Sequence, residues 1–330
     1  MARVTVFGAG AMGTALAMHL ARQGNPTVLW ASEFDRRVLP DLVDHRRHPS
    51  LPAYLPDSLH VLGPERLQAA AGGVEVAVMA AHSGGARTLA RVVMEQASLP
   101  LTVSIAKGLE PDTKKRMTEV YAEEVGHSNV VAMGGPCLAA EIASGAPTAA
   151  VVASVDPEST ELTAQCLGAS SFDVVGTDDV LGVEYCTVAK NVAAIGMGIV
   201  DGLAKVRDSQ FRNAKAALFA QAIRELAELV PALGGRAETV YGLAGMGDVL
   251  VTGLGGRNRL YGEMIGEGAS PDVALADLTE RGMTVEGVES ARDVRELTSR
   301  LGLELPLHAQ VEMILFDGAP AASVLDCLKG

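Results

Sequence analysis

The chain has 330 residues, of which 48% are hydrophobic and 20% charged, and its formal net charge at pH 7 is −13. This length accommodates two domains, and the composition is that of a folded protein rather than a disordered one. The negative charge argues against a nucleic-acid partner, since no basic stripe in the sequence offsets it.

A glycine-rich turn lies between the first predicted strand and the first predicted helix. Residues 8–13 read Gly-Ala-Gly-Ala-Met-Gly, after an apolar strand at 4–7 and before a helical pattern at 14–21. In this context, one glycine makes a tight turn, one lets the backbone approach a pyrophosphate, and one lets the helix pack on the strand. The residues predicted to hold a dinucleotide are Gly8, Gly10, Ala11, Met12 and Gly13.

Strands and helices alternate through the first half of the chain, and helices alone follow. Alternation predicts a mostly parallel sheet, and a long apolar stretch at 183–203 predicts a buried helix. We expect an α/β protein, with a Rossmann-type doubly wound sheet at 1–180, an all-α domain at 181–330 and a ligand cleft between them. Further strands are predicted at 27–30, 74–80, 101–106, 130–133, 148–153 and 172–175, and helices at 86–95, 213–233, 239–250, 271–281, 286–301 and 307–316.

The end of the second strand carries charges of both signs. Glu33 stands where a carboxylate would read the 2′-hydroxyl of NAD, but Arg36 and Arg37 follow, and an arginine can meet the 2′-phosphate of NADP. All three are also compatible with a solvated loop. The sequence therefore leaves the choice between the two nicotinamide cofactors open.

Two lysines stand in positions that suit chemistry. Lys107 follows a buried strand, whose carboxyl end is where ligands bind in such sheets. Lys190 lies in the apolar stretch beside Asn191, and a buried ammonium needs a partner or has a lowered pKa. Such a lysine can act as a general acid. The alternative for Lys190 is a structural ion pair or a side chain that reaches the rim.

A second glycine-rich region lies near the middle of the helical half. Asp248 follows three glycines and could orient Lys190. Thr252 comes one helical turn later, and Gly256 precedes Arg257 and Asn258, a pattern in which backbone N–H groups and an arginine fork could hold a phosphate. Alone, this turn is more typical of a solvated loop than of a phosphate site.

The remaining polar residues predict no further site. The seven histidines are scattered without metal-ligand spacing, so no metal is predicted. No signal peptide or apolar run long enough to cross a membrane is evident, and we expect a cytoplasmic protein. Its cysteines should be reduced thiols: Cys137, Cys166, Cys186 and Cys327.

Together these segments resemble the NAD(P)-dependent glycerol-3-phosphate dehydrogenases over nearly the whole chain. The resemblance implies reversible reduction of dihydroxyacetone phosphate to sn-glycerol 3-phosphate with NAD or NADP, on a small phosphorylated substrate. Some family members, archaeal ones among them, share the variant Glu-Phe-Asp and Gly-Gly-Arg-Asn motifs, so this chain is similar to a divergent branch. The matching segments are residues 8–17, 106–110, 135–141, 189–195, 201–203, 213–218, 242–248, 257–258 and 285–287.

The resemblance also implies a role for individual residues. Lys190 matches the proton donor, Lys107 a substrate contact, and Asp248 and Thr252 residues that order lysine and substrate. Arg257 and Asn258 match the phosphate-binding pair, and Glu286 a residue near the nicotinamide. The catalytic set is Lys190, Lys107 and Asp248; the substrate set is Lys107, Asn191, Asp248, Thr252, Gly256, Arg257 and Asn258; the cofactor set adds Glu33, Arg36, Lys107, Ala139, Arg257 and Glu286 to the glycine turn.

Several departures from the family pattern keep two other hypotheses open. Gly256 replaces a serine, residues 204–212 form a basic segment in place of a short glycine-rich link, and Gln221 and Ala222 replace an Arg-Gly pair. One alternative is a dehydrogenase of another small phosphorylated ketone or a 3-hydroxy-acid; the other is a dinucleotide-sensing protein without catalysis. The Ala- and Leu-rich helical half suits either a core or a dimer interface, so a homodimer is also left open.

Overall fold

The structure, a computed structural model, describes residues 1–329 and divides into two compact units, Met1–Val180 and Leu181–Gly330. The first unit contains one eight-stranded sheet with helices around it. Its strands are β1 (Val4–Phe7), β2 (Thr27–Trp30), β3 (His60–Leu62), β4 (Val76–Met79), β5 (Thr102–Ser104), β6 (Val130–Gly134), β7 (Thr148–Ala153) and β8 (Phe172–Thr177). Its helices are α1 (Ala11–Arg22), α2 (Leu39–Asp44), α3 (Leu67–Ala71), α4 (Ala86–Met94), α5 (Met117–Val125), α6 (Ala139–Ser144) and α7 (Pro157–Leu167).

The strand order is β3-β2-β1-β4-β5-β6-β7-β8, and β6–β7 is the antiparallel pair. Its first six strands have the 3-2-1-4-5-6 order of dinucleotide-binding sheets, confirming the predicted Rossmann-type fold. β1 lies between β2 and β4, so the strand order reverses its direction beside the glycine-rich turn. Ligands bind such sheets outside the carboxyl ends of the strands at this point.

Apolar residues cover both faces of this sheet, which is why its strands are nearly continuous apolar runs. Successive side chains of a strand point to opposite faces. Val6 therefore belongs to the core cluster that packs with Leu16 and Leu29, whereas Phe7 belongs to the cluster that packs with Trp30 and Met79. The two layers fix the register of β1 and hence the position of the turn after it.

The short strand β3 is absent from the sequence prediction. It has three residues, pairs along one side with β2, and none of its residues is fully buried. A strand this short, at the edge of a sheet, carries too little alternation to be recognised from its own sequence.

The second unit is helical throughout, as predicted. The helices of this unit are α8 (Val180–Val206), α9 (Arg212–Ala232), α10 (Ala237–Tyr241), α11 (Asp248–Leu254), α12 (Arg257–Gly266), α13 (Pro271–Glu280), α14 (Gly287–Leu301) and α15 (Pro306–Phe316). A 3-10 segment at Ala321–Leu328 follows α15.

Helix α8 is longer than predicted, with 27 residues and a mean hydropathy of 1.2 over its most apolar window. By length and composition alone, this helix could cross a membrane. However, 89% of that window is buried inside the protein, and the core helix of a globular domain has the same character. Its length is therefore weak evidence for a span.

Glycines bring α8 and α12 into backbone contact. A Cβ added at Gly198 would lie 2.0 Å from the Arg259 carbonyl oxygen, and one at Gly262 would lie 2.1 Å from the Ile195 carbonyl oxygen. Gly202 and Gly266, one turn further along each helix, are equally close to the opposite backbone. This close crossing holds Asn258, near the start of α12, against α8.

The predicted helix at 239–250 is interrupted. α10 ends at Tyr241, a π-helical turn follows at Leu243–Gly247, and α11 begins at Asp248. Glycine weakens a regular helix, and here Gly245 is needed for close approach, since a Cβ would lie 2.1 Å from the Val240 carbonyl oxygen. The break sets Asp248 at the start of a new helix.

The basic segment at 204–212 is largely part of the helices. α8 continues to Val206 and α9 begins at Arg212. Lys205 forms ion pairs with Glu263 and Glu267 of α12, and the Arg207 guanidinium lies over the Phe211 ring at 5.6 Å. These contacts give Lys205 and Arg207 a structural role within the helical unit.

Candidate active site

The glycine-rich turn of the first unit has the shape of an anion cradle. Gly8 has φ +116°, and a Cβ there would lie 2.8 Å from the Ala80 carbonyl oxygen, whereas one at Gly13 would lie 2.3 Å from the Gly8 carbonyl oxygen. A Cβ added at Gly10 would have nothing within 4 Å, and Gly10 is the N-cap of α1, whose first turn carries no acidic residue and no side-chain cap. The first-turn N–H groups of Ala11, Met12 and Gly13 suit a pyrophosphate. The turn therefore fits the predicted dinucleotide.

Glu33 and Arg36 pair with each other rather than competing. Arg36 Nη2 donates to Glu33 Oε1 at 2.9 Å and its Nε donates to Oε2, and both side chains are well exposed. The hydrogen bond from Arg36 holds the pKa of the Glu33 carboxyl below its usual range. The carboxylate and guanidinium that the sequence places in competition thus form one exposed pair, directly after β2.

Lys107 lies half-buried beyond the carboxyl end of β5. Its Nζ donates to the carbonyl oxygen of Gly135 at 3.4 Å. Gly135 has φ +107° and follows β6, four residues before Ala139, the first residue of α6. The structure thus brings Lys107 and the segment that carries Ala139 together at the ends of neighbouring parallel strands.

Lys190 and Asp248 form a buried ion pair in the second unit. The Lys190 side chain is 3% exposed and that of Asp248 1%, and Lys190 Nζ donates to Asp248 Oδ1. Nζ also donates to Thr252 Oγ1 at 3.1 Å, and that hydroxyl donates to the Asp248 carbonyl oxygen at 2.6 Å. The ammonium is therefore held in one orientation by groups one helical turn apart on α11.

The residue after Lys190 joins a buried chain of amides. Asn258 Nδ2 donates to Asn191 Oδ1 at 2.9 Å, and the Gly287 N–H donates to Asn258 Oδ1 at 2.9 Å. Asn191 Nδ2 donates to Ser290 Oγ at 3.4 Å. The chain links α8, α12 and α14, and it places Glu286, which precedes Gly287, near the start of α12.

The start of α12 is open on one side. Gly256 has φ +98°, which favours glycine, and neither Gly255 nor Gly256 has an atom within 4 Å of an added Cβ. Arg257 is exposed at the first helical position, whereas Asn258 is buried. The N–H groups at the start of this ten-residue helix and the exposed Arg257 guanidinium are groups of the kind that bind an anion.

Sequence reasoning misses two parts of this region. Ser290 lies one turn inside α14, and only the fold brings its hydroxyl to Asn191. His308, treated as one of seven scattered histidines, is 3% exposed and contacts the buried Glu225 of α9.

The cysteines of residues 1–329 are thiols rather than disulfides, and burial raises the pKa of Cys166 to about 11. Within the same residues there is no group of three or more His, Cys, Asp and Glu side chains that could hold a metal ion.

Comparison with known families identifies both halves of the chain. Residues 3–160 match the NAD-dependent glycerol-3-phosphate dehydrogenase N-terminus, and residues 179–326 match the corresponding C-terminus. The chain belongs to the NAD-dependent glycerol-3-phosphate dehydrogenase family. It is therefore an oxidoreductase, and the resemblance drawn from its motifs is confirmed.

Individual relatives cover almost the entire chain. The NADP(+)-dependent glycerol-3-phosphate dehydrogenase of Archaeoglobus fulgidus is 32% identical over 98% of this chain and 97% of its own length. The NAD(P)+ glycerol-3-phosphate dehydrogenase of Chlorobium phaeobacteroides is 36% identical over 99% and 97%. The crystal structure of the glycerol-3-phosphate dehydrogenase of Coxiella burnetii superposes with a TM-score of 0.88 at 30% identity, covering 99% of this chain and 98% of that one.

Proposed function

We propose that Lys190 is the proton donor in the reduction of dihydroxyacetone phosphate to sn-glycerol 3-phosphate, the NAD(P)H-dependent reaction that this protein catalyses. The observation that supports this role is the buried Lys190–Asp248 pair with Thr252 on the same ammonium. A reduced nicotinamide supplies the hydride that carbon 2 of the ketone accepts, and the oxygen on that carbon needs one proton. Lys190 Nζ gives that proton, and in the reverse direction it takes the proton back.

Asp248 and Thr252 act through Lys190 in this proposal. The Asp248 carboxylate keeps the Lys190 ammonium charged. The carboxylate and the Thr252 hydroxyl together hold the ammonium in one orientation, so that the proton is delivered along one direction. Asn191 follows Lys190 on α8, and its side chain is fixed by Asn258 and Ser290. We assign these residues to positioning of the substrate and its carbonyl.

The phosphate of the substrate is proposed to bind at the start of α12. Gly256 leaves space for it, the first N–H groups of the helix point toward it, and Arg257 forks onto it. The Asn258 side-chain oxygen accepts from Gly287, and one of its amide hydrogens is donated to Asn191. Asn258 therefore contributes one remaining N–H to phosphate binding, and it orients the start of α12. Lys107 is proposed as a further cationic contact to the substrate.

The cofactor is proposed to bind the first unit through the glycine turn and the exposed pair after β2. Residues 1–180 are the dinucleotide-binding domain in this proposal, and residues 181–330 the substrate-binding domain. The Glu33 carboxylate suits the ribose 2′-hydroxyl of NAD, and Arg36 released from Glu33 suits the 2′-phosphate of NADP. We propose that both cofactors are used. Ala139, Arg257 and Glu286 complete the proposed cofactor set.

The cellular location and the assembly of the enzyme are part of the proposal. We place the enzyme in the cytoplasm, with the small phosphorylated substrate as its partner. A homodimer is tested by sedimentation of the full chain, where a single species at twice the chain mass of 34.2 kDa supports it and one at the chain mass rejects it.

The decisive experiment is an assay of dihydroxyacetone phosphate reduction with NADH and NADPH separately, on the full chain. We expect oxidation of either cofactor to require the ketone, and a panel of other small phosphorylated ketones and 3-oxo-acids to give lower kcat/KM. A higher kcat/KM for another ketone would favour the alternative dehydrogenase. Cofactor binding without turnover of any member of the panel would favour the sensing protein.

A further inference from the structure

A buried imidazole lies between two acceptor atoms behind the segment that carries Lys190. His308, on α15, is 3% exposed; its Nδ1 lies 2.6 Å from Glu225 Oε2, and its Nε2 lies 3.2 Å from the Ala189 carbonyl oxygen. Ala189 immediately precedes Lys190 and Asn191 on α8. The ring therefore connects α9 and α15 to the backbone of α8 at the proposed active site.

Glu225 is held as a carboxylate by several donors. It is 1% exposed, and it accepts the N–H groups of Leu307 at 2.7 Å and His308 at 3.1 Å and the Gln221 amide at 2.5 Å. Burial alone would raise the pKa of the Glu225 carboxyl, but the hydrogen bond and charge of His308 with these other donors hold the pKa below its usual range. A carboxylate in this setting accepts hydrogen bonds and donates none.

The two contacts of the ring together require two protons. The Ala189 carbonyl is also an acceptor only, and a neutral imidazole carries one N–H. With one proton, either the Glu225 contact or the Ala189 contact would pair two acceptors in a buried site, which is costly. A ring that donates from both nitrogens satisfies both partners.

Charged residues of α14, of α15 and of the segment before α15 line a cavity beside His308. A cavity of about 340 Å³ lies beside the ring, and its charged lining residues are Arg295 of α14, Glu312 of α15 and Glu304 before α15. Arg295 pairs with Glu312. From the C-terminal 3-10 segment, Cys327 has its pKa raised to about 11 by burial and by the charge of Glu225. Glu225 thus remains the ionic partner in contact with the ring.

We propose that His308 is a positioning residue that carries a proton on both ring nitrogens and, through the Ala189 carbonyl, fixes the place of Lys190 and Asn191 on α8. The charge of Glu225 stabilises the doubly protonated ring. The hydrogen bond from the ring to the Ala189 carbonyl holds α8 in a fixed position relative to α15. The inference rests on the proposed role of Lys190, because only then does a displacement of this segment change the proton transfer.

Two variants separate the contacts of the ring. In His308→Asn the amide nitrogen lies near the place of Nδ1, so donation to Glu225 is retained and Ala189 is out of reach. In His308→Gln the amide nitrogen lies near the place of Nε2, so donation to Ala189 is retained and Glu225 loses the ring. The two variants should therefore divide the catalytic effect from the effect on folding.

We expect the variant with the lower kcat to be the one with the higher thermal midpoint. We expect His308→Asn to lower kcat on the order of tenfold, with the KM values for ketone and cofactor changed less, because misplacement of a reacting group acts on the chemical step. His308→Gln should keep more of kcat although its thermal midpoint falls further, since Glu225 then loses the hydrogen-bond donor that His308→Asn retains. If kcat follows the thermal midpoint in both variants, His308 is only structural and the proposal is wrong.

A spectroscopic measurement tests the proton count directly. In the full chain with ¹⁵N-labelled histidine, the signals that disappear in His308→Asn should be those of an imidazole protonated at both nitrogens. Signals of a neutral tautomer would overturn the proposal. His127→Gln serves as the control, since His127 bonds one backbone carbonyl, that of Leu99, in the other unit.

Lys190→Met separates this inference from the proposed function. If Lys190→Met still reduces dihydroxyacetone phosphate at the rate of the unchanged protein, the role of Lys190 is wrong, whatever the histidine variants do. If Lys190→Met is inactive and both histidine variants turn over like the unchanged protein, the proposed function stands and the inference about His308 fails.

Discussion

Lys190 and Lys107 both stand where the sequence predicts chemistry, but the protein holds them differently. Lys190 is 3% exposed, and its ammonium contacts the Asp248 carboxylate and the Thr252 hydroxyl. Lys107 is half-buried, and its ammonium contacts the backbone carbonyl of Gly135 at 3.4 Å. A buried ion pair fixes one direction for a proton, whereas a half-buried lysine at a strand end suits attraction of an anion.

The support behind each lysine differs in the same way. Asp248 is contributed by a helix that begins at that residue, after a π-helical turn. Behind Lys107, Glu110 receives two hydrogen bonds from Arg87, at 2.7 and 2.8 Å. The Asp248 carboxylate contacts Lys190 itself, whereas the Arg87–Glu110 pair lies in the loop after Lys107. We therefore propose that Lys190 takes part in the chemical step and that Lys107 binds the substrate.

Replacing Lys190 should have the largest effect. Lys190→Met removes the proposed acid, and we expect kcat to fall by about 10²- to 10⁴-fold, the usual contribution of general acid catalysis. Lys190→Arg keeps a positive charge for Asp248 but holds its protons tightly, so it should be comparably slow. Steady-state kinetics, with NADH affinity from fluorescence as the control, measure both; turnover close to that of the unchanged protein would contradict the assignment.

Replacing Lys107 should act on binding. Lys107→Met removes one charged hydrogen bond, and we expect a loss of about 10- to 100-fold in kcat/KM for dihydroxyacetone phosphate. Most of the loss should lie in KM, and Lys107→Arg should restore part of it. A loss confined to kcat would mean that both lysines take part in the chemical step, and the proposed difference between their roles would be wrong.

The sequence predicts the surroundings of these lysines unequally. The strand at 148–153 coincides with β7, because the segment is bounded by Pro147 on one side and Ser154 on the other. The helix at 239–250 is in fact two helices and a π-helical turn, because the close approach of Gly245 to Val240 depends on the fold. The local pattern of apolar residues predicts the bounds of a strand such as β7, but it does not predict a helix break such as the π-helical turn.

In the candidate site, too, the features formed by neighbouring residues are predicted from the sequence, and those formed by distant residues are not. Glycine spacing identifies the turn at 8–13, because the constraint there lies within one strand, one turn and one helix. The contacts of Asn191 with Asn258 and Ser290 join residues 67 and 99 positions apart. Sequence spacing gives no distance across helices, so the amide chain and the Glu225–His308 contact emerge only from the packed structure.

The hydroxyl on Lys190 gives a smaller, sharper test of the buried pair. Thr252→Val keeps the shape of the side chain and removes the acceptor at 3.1 Å from Nζ, and we expect kcat to fall by about 3- to 10-fold, the value of one hydrogen bond. Thr279→Val is a matched control, since that hydroxyl donates to the carbonyl four residues earlier without touching a lysine. Equal kcat values for the two variants would show that Asp248 alone orients Lys190.

The smallest expected effect is in the loop after Lys107, and it depends on pH. The hydrogen bond from Arg87, with that from Thr113, lowers the pKa of the Glu110 carboxyl in the folded protein. The unfolded chain, with a pKa near ~4.3, then binds the proton more readily, so this contribution to stability is complete above that value and is lost as the pH falls through the folded pKa.

Glu110→Gln should therefore unfold more easily than the unchanged protein near neutral pH, and the difference should shrink as the pH is lowered below about 4. Denaturant unfolding across this range measures it. Glu289→Gln, which removes an exposed pair with Arg292, should leave the difference close to zero throughout. If Glu110→Gln also raises KM for the ketone while kcat holds, the loop positions Lys107 for binding; if it lowers kcat alone, the division of labour between the lysines is wrong.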